Sequence, residues 1–184
     1  MKSYACIRLD SFKSCSLCGN STRSLNYLSD SSAPICDECL RSKPGYTQCK
    51  YLLRVPAAVT GKIREVMKVH PHSAWYLFGS TVGTTHKMMV ADACVPWSYD
   101  SLGRPRFDSK ASMKQVLAQR SECIATLVSV PSLKQPPTAG NLACLKLTNS
   151  PLVCLVDCDE PEITYGRMTS EGTSEGVIVV LEGS

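Results

Sequence analysis

The sequence predicts a mixed α/β protein of the α+β type, in which a small cysteine-rich module precedes a helix-flanked mixed sheet. Two Cys-x-x-Cys pairs lie before residue 40. From residue 51 onward, short apolar runs rich in β-branched residues alternate with amphipathic helical patterns, which is typical of a sheet with flanking helices. The 184 residues, 43% of them hydrophobic, suit one ordinary domain plus one small module. We therefore expect a module over 1–45 and a larger domain over 50–184.

The module is defined by four cysteines, Cys15, Cys18, Cys36 and Cys39. Two such pairs fit one tetrahedral Zn²⁺, because each pair grips the ion from a tight turn and together they fill all four positions. A filled site of this kind is structural. Gly19 follows the first pair, where a metal-binding turn needs a permissive backbone. Disulfides or unrelated pairs are the alternatives.

A segment as short as this module has little room for an apolar core, so we expect the zinc ion to hold it together. Residues 42–46, Ser-Lys-Pro-Gly-Tyr, read as a linker to the larger domain. Removal of the ion should then unfold the first fifty residues and spare the rest.

The larger domain is predicted to begin with a strand and a helix. Residues 51–55, Tyr-Leu-Leu-Arg-Val, have the composition of a short strand, and Pro56 suits a first helical position. Apolar residues recur at helical spacing from Val59 to Met67, which predicts an amphipathic helix over 56–69.

The rest of the domain is predicted to consist mainly of strands. Gly79 and Gly83 predict a hairpin between the first two, and Asp108 can cap a helix. Residues 166–176 are rich in Gly, Ser, Thr and Glu, which predicts a mobile segment, and the apolar tail after them is expected to dock as an edge strand. The predicted strands cover 74–79, 86–95, 123–130, 152–157, 163–165 and 177–181.

The composition of the chain indicates its cellular compartment, and its net charge bears on the partners it could bind. No stretch approaches the length of a membrane span, and the first residues lack the apolar segment of a signal peptide. With thiols that are free or bound to metal, this indicates a reducing, intracellular compartment, and we expect a cytoplasmic protein. The formal charge of +4 falls to about +2, because a zinc ion with four thiolates carries a net charge of −2.

The first fifty residues carry seven basic against four acidic side chains. This balance is compatible with contacts to phosphates, but the basic residues do not form a run or stripe. Nucleic-acid binding is therefore an alternative function. The basic residues are Lys2, Arg8, Lys13, Arg23, Arg41, Lys43 and Lys50.

From residue 51 onward the order of elements resembles the JAB/MPN metalloprotease fold. Residues 52–64 resemble the first strand and helix of that family, 75–79 its second strand, and 93–96 the strand that leads into a polar loop. Active members bind a catalytic zinc ion with two His and an Asp, and a Glu acts as general base on the zinc-bound water.

The catalytic residues of that family are absent at the corresponding positions. Valine occupies both His positions of the His-x-His-Pro motif, asparagine occupies the Asp position, and either His72 or Ala74 stands at the Glu position. Because valine cannot coordinate a metal, the resemblance implies a degenerate site without catalytic activity. An unrelated small α/β domain is the alternative. The degenerate site would comprise Val128, Ser129, Val130, Thr138 and Asn141.

The cysteine module has a resemblance of its own. Residues 15–20 and 34–40 are similar to the zinc-binding domain of the Clp-family unfoldase that works with a separate peptidase. That domain is a treble clef, in which the first pair sits on a knuckle and the second pair opens a helix. It dimerises and docks adaptors and substrates. The resemblance implies that Asp37 and Glu38 lie in the first helical turn, where their charges favour the helix dipole.

Other candidate sites have simpler explanations. His70 and His72 could bind a metal only with a distant third ligand. Cys154 and Cys158, with Cys144, could form a second metal cluster, although buried free cysteine is the more common case. No glycine-rich phosphate loop is present.

These observations favour a non-enzymatic, zinc-containing interaction or scaffold protein that acts within a larger assembly. We expect a protein partner, contacted through the zinc module, or a homodimer, and no membrane. The alternatives are a zinc-finger nucleic-acid-binding protein and a metal-dependent hydrolase with an unrecognised site.

Overall fold

The computed structural model describes residues 4–69, 74–96, 123–130, 152–156, 163–170 and 173–183. Within these ranges the chain is a mixed α+β protein with two helices and two sheets. The first sheet has four strands, and the second has seven strands and closes into a barrel.

The four-stranded sheet is built from the N-terminal module. Its strands pair in the order β3-β2-β1-β4, with β1 antiparallel to β2 and parallel to β4. The linker predicted over 42–46 therefore ends in a strand. The elements are β1 (Tyr4–Asp10), β2 (Ser24–Leu28), β3 (Ser31–Ile35), helix α1 (Asp37–Arg41) and β4 (Tyr46–Gln48).

This module has an apolar core, contrary to the expectation from its length. Leu25, Leu28 and Ile35 are at most 2% exposed and pack with the buried thiols of Cys6, Cys15 and Cys36. The strands are short, and β3 reads Ser-Ser-Ala-Pro-Ile, so the alternation that identifies a strand covers too few residues to be recognised.

The barrel contains the rest of the described chain. Its strands pair in the order β10-β11-β5-β7-β6-β8-β9, and β9 returns to β10. The elements are β5 (Tyr51–Val55), helix α2 (Ala57–Val69), β6 (Ala74–Val82), β7 (Lys87–Pro96), β8 (Cys123–Val130), β9 (Leu152–Val156), β10 (Ile163–Ser170) and β11 (Thr173–Leu181).

Closure of the sheet corrects the expectation of an edge strand and bears on the segment 166–176. The C-terminal strand is not at an edge, because β11 lies between β10, its antiparallel neighbour, and β5, its parallel neighbour. Most of the segment 166–176 belongs to the β10–β11 hairpin, with Gly166 opposite Val177 and Ser170 opposite Thr173, so its composition does not prevent regular pairing. Its mobility stays a prediction. The hairpin predicted around Gly79 and Gly83 is present as antiparallel β6 and β7.

One face of the barrel strands packs with helix α2. Val59 and Ile63 of α2 lie in the same buried cluster as Leu53 and Val55 of β5 and Trp75 of β6. The helix therefore follows the predicted amphipathic pattern, and its apolar side covers this face of the strands.

The opposite face of the barrel strands packs against the N-terminal module. Ile7 and Leu9 of β1 share a cluster with Leu52, Met88 and Val180, which come from β5, β7 and β11. The module and the barrel share this core, and whether loss of the metal would spare the larger domain stays a prediction.

A buried arginine also joins the two sheets. Arg54 of β5 is 7% exposed, and its Nη1 donates to the carbonyl oxygens of Leu28 and Ser31, both at 2.7 Å. Its Nη2 lies 2.7 Å from Glu182 Oε1, just after β11. One guanidinium therefore satisfies the β2–β3 turn of the module and a carboxylate of the barrel.

Replacement of Arg54 by methionine should lower the free energy of unfolding by about 3 kcal/mol, because two carbonyls and a carboxylate lose their charged donor. Equilibrium urea unfolding of the full chain measures this change. Glu182→Gln keeps an acceptor at the same place and should cost about 1 kcal/mol. Equal losses for the two variants would contradict the view that the arginine joins the two sheets.

Candidate metal centre

The first cysteine pair lies on a tight turn after β1. The backbone N–H of Gly19 donates to the carbonyl of Cys15, and that of Cys15 donates to the carbonyl of Asn20, both at 2.9 Å. Gly19 has a φ of 75°, in the left-handed region that glycine adopts without strain. The turn therefore needs a permissive residue after the first pair, as the sequence predicts.

The second pair opens helix α1. Cys36 is the N-cap residue, and its Sγ accepts a hydrogen bond from the backbone N–H of Cys39 at 3.5 Å. Asp37 and Glu38 occupy the first helical turn. The β2–β3 hairpin returns the chain to the first turn, where the backbone N–H of Ser16 donates to the carbonyl of Pro34 at 3.0 Å.

The two pairs converge on one point. The Sγ atoms of Cys15, Cys18, Cys36 and Cys39 all lie within 4.8 Å of one another. The Cys15–Cys39 and Cys18–Cys36 sulfurs are each 3.7 Å apart. Four sulfurs at about 2.3 Å from a central zinc ion would lie about 3.8 Å from each other in a tetrahedron. The sulfur arrangement therefore fits a tetrahedral metal site, and the four cysteines of the cluster are free thiols that form no disulfide with one another.

Backbone groups prepare these sulfurs for a cation. Cys15 Sγ accepts hydrogen bonds from the backbone N–H groups of Leu17 and Cys36, at 3.4 and 3.3 Å. The pKa of Cys15 is lowered to about 6, chiefly by a backbone hydrogen bond from Cys18 and also by those from Cys36 and Leu17. The pKa of Cys39 is raised to about 12, first by its hydrogen bond with the Cys36 side chain and then by burial. Sulfurs this close ionise together only when a cation balances their charge.

A network of polar side chains holds Asp37, the residue that follows Cys36 of the second cysteine pair. Asn26, fully buried in β2, donates from Nδ2 to Asp37 Oδ1 at 2.8 Å, and its Oδ1 accepts from Gln48 Nε2 at 3.0 Å. Arg8 Nη2 binds the other carboxylate oxygen of Asp37 at 3.0 Å. The sequence interpretation missed Asn26, although an amide between the apolar Leu25 and Tyr27 of a strand was a detectable signal.

The other cysteines of the module lie outside this cluster. Cys6 and Cys49 are not among the grouped sulfurs. Burial raises the pKa of both thiols, and that of Cys49 reaches about 12. Both are therefore protonated, and Cys6 packs in the module core.

The degenerate site predicted from the JAB/MPN resemblance is only partly covered by the described residues. Thr138 and Asn141 are not described, and neither are His70 and His72. The backbone of Val128 pairs with Ala74 of β6 and with Cys154 of β9, which places the end of β8 between these strands. Whether Val128, Ser129 and Val130 of β8 lie beside Thr138 and Asn141 stays a prediction.

Comparison with known proteins gives no assignment. No family model matches the chain, and no curated protein is similar to it. Among the described residues, no helix has the length and apolar character needed to cross a membrane.

The purified full chain should contain one zinc ion per molecule, bound by four sulfurs, which elemental analysis and X-ray absorption measure. Cys39→Ser should lose most of the zinc because it removes one ligand. Cys49→Ala is the matched control and should retain the metal, since Cys49 lies outside the cluster. A zinc-free wild-type protein, or oxygen in the first coordination shell, would contradict this site.

Stability should depend on pH through the metal. Protons compete with zinc for the thiolates, whose ordinary pKa of 9.0 falls when a cation binds. The stabilisation of the folded state by zinc is therefore complete at high pH and is lost as the pH falls. The melting temperature should therefore drop between about pH 8 and about pH 5 with release of zinc, measured by a chromogenic zinc indicator. In excess EDTA the same pH series should show a much smaller dependence. If the melting temperature depended on pH in the same way with EDTA present, zinc binding would not be the cause of that dependence.

Proposed function

We propose that this chain is a non-enzymatic, zinc-containing interaction protein, in which the metal holds a docking surface for a protein partner in a larger assembly. The observation that carries this proposal is the four-sulfur cluster. Four thiolates fill every position around a tetrahedral ion, whereas catalytic zinc keeps one position open for water or substrate. A metal enclosed in this way contributes folding energy and no chemistry.

Exposed apolar side chains around the first cysteine pair support a docking role. In the described ranges, the large hydrophobic residues that are exposed are Phe12, Leu17 and Val82, at 109%, 57% and 41%. Phe12 lies three residues before the first ligand, and Leu17 lies between the two ligands of the first pair. A turn fixed by a metal presents such side chains to a partner with little loss of conformational entropy on binding.

The proposal extends to the treble-clef and JAB/MPN resemblances. The order of a cysteine turn, a hairpin and a helix opened by the second pair agrees with a treble clef. The barrel would then be a catalytically dead JAB/MPN-like scaffold, because valine at 128 and 130 supplies no metal ligand. Active and inactive members of that family pair in assemblies, which suits a protein partner.

A photo-crosslinking amino acid placed at Leu17 should capture one discrete protein in the native cells, or a second copy of the chain if the module dimerises. The same probe at Val82, an exposed position on the barrel, is the matched control and should not capture that protein. Gel mobility and mass spectrometry identify the product. Cys39→Ser should abolish the Leu17 product, because the turn loses its metal.

Two results would overturn this function. One is a pattern of crosslinks that is the same at Leu17 and Val82, which would mean that the zinc turn has no specific partner. The other is metal-dependent cleavage of ubiquitin-like conjugates by the purified chain, together with a second bound zinc ion. That result would favour a hydrolase instead.

A further inference from the structure

A groove beside the cysteine cluster has a lining that is unusually rich in arginine. It has a volume of about 370 Å³ and lies between helix α1 and the segment that precedes and begins β2. Arg8, Arg23 and Arg41 line it together with Asp37, Glu38 and the metal-site cysteine Cys36. The other lining side chains are short and polar, and no aromatic side chain is among them.

Two of the charged groups in the groove neutralise each other. Arg8 Nη2 and Asp37 Oδ2 are 3.0 Å apart, and Arg8 Nε donates to Ser24 Oγ at 3.0 Å. The second carboxylate oxygen of Asp37 accepts from Asn26. The Arg8–Asp37 pair therefore joins the walls of the groove and has little remaining capacity to bind a ligand.

The remaining two arginines are available for a ligand. Within the part of the chain that the structure describes, the guanidinium groups of Arg23 and Arg41 make no ion pair or hydrogen bond, and both residues are exposed. They come from different elements, since Arg23 precedes β2 and Arg41 ends α1. Glu38 is the one acidic lining side chain without such a partner in the same ranges.

We propose that this groove binds a short acidic peptide segment of the protein partner, with Arg23 and Arg41 gripping its carboxylates. This deepens the proposed function and rests on it. Guanidinium groups pair with carboxylates through two parallel N–H···O bonds, which gives directional binding. Glu38 can accept from the backbone N–H groups of an extended peptide.

The same features disfavour a nucleic acid. A groove of this volume accommodates a few residues, and it has no aromatic surface on which a base could stack. A continuous phosphate backbone would also approach the carboxylate of Glu38 and the thiolate of Cys36. A peptide can place its acidic side chains at the arginines and its neutral backbone over these groups.

The test measures the affinity of fluorescein-labelled hexaglutamate for the zinc-loaded full chain by fluorescence anisotropy. Hexaglutamine has the same backbone without the charges, and single-stranded oligothymidylate represents nucleic acid. We expect hexaglutamate to bind, with an affinity that falls as the salt concentration rises, and the other two probes to bind at least about tenfold more weakly.

Variants then locate the binding. Arg23→Gln/Arg41→Gln should weaken hexaglutamate binding at least about tenfold with zinc content unchanged. Lys13→Gln/Lys43→Gln removes the same charge from exposed positions outside the groove and should change the affinity less than about twofold. Three results would each overturn the proposal that the groove binds an acidic peptide. They are equal losses of affinity in the two double variants, tighter binding of oligothymidylate than of hexaglutamate, and no binding of hexaglutamate. If the Leu17 crosslink persists unchanged in the Arg23/Arg41 variant, the groove proposal fails while the proposed function stands.

Discussion

Repulsion among four sulfur atoms is the constraint on which the N-terminal module depends. The Sγ atoms of the four cysteines lie within 4.8 Å of one another, a separation at which their thiolates coexist only around a cation. The turn at Gly19, the β2–β3 hairpin and the N-cap at Cys36 all serve to bring these atoms together. The hydrogen bond from buried Asn26 to the half-buried Asp37 then fixes the start of α1. The four-cysteine cluster therefore joins the first turn, the β2–β3 hairpin and the start of α1.

The module is packed against the barrel through a buried apolar cluster that both contribute to. Ile7 and Leu9 pack between β5, β7 and β11, and Gly83, at φ 93°, lies so close to Leu9 that a Cβ atom there would come within 2.8 Å of Leu9 Cδ2. Arg54 adds buried hydrogen bonds between the two sheets, because its guanidinium, paired with Glu182 of the barrel, donates to backbone carbonyls of the module. A partner that docked on the cysteine turn, as proposed, would therefore contact a module that is packed against the barrel. Such support lowers the entropic cost of binding.

Much of the barrel could be predicted from the sequence because its strands are long or wholly apolar. Residues 52–55 and 123–127 are buried on both faces of the sheet and, apart from Arg54 and Thr126, are apolar, and α2 shows a clear helical period. The four cysteines could also be predicted, since ligand spacing is a local property. Closure of the barrel could not be predicted from the sequence, because it depends on the parallel pairing of β11 with β5, which lies more than a hundred residues earlier. The same holds for Arg54, whose partners Leu28 and Glu182 are distant in sequence.

The proposed function of the module rests most on where its charged groups lie, at the cysteine cluster and at the exposed arginines of the groove. With a zinc ion bound as proposed, the four thiolates and the metal would carry a net charge of −2, and the N–H groups of Leu17, Cys36 and Cys39 that point at the sulfurs would partly offset it. Cys15 and Cys36 are buried, whereas Cys18 is exposed and Cys39 is partly exposed, so one side of the cluster reaches the module surface. Arg23 and Arg41 project from the rim of the groove into solvent, where they are free to meet an anionic group. In the proposed function, the cysteine cluster would hold the fold of the module, and the exposed Arg23 and Arg41 would recognise an anionic partner.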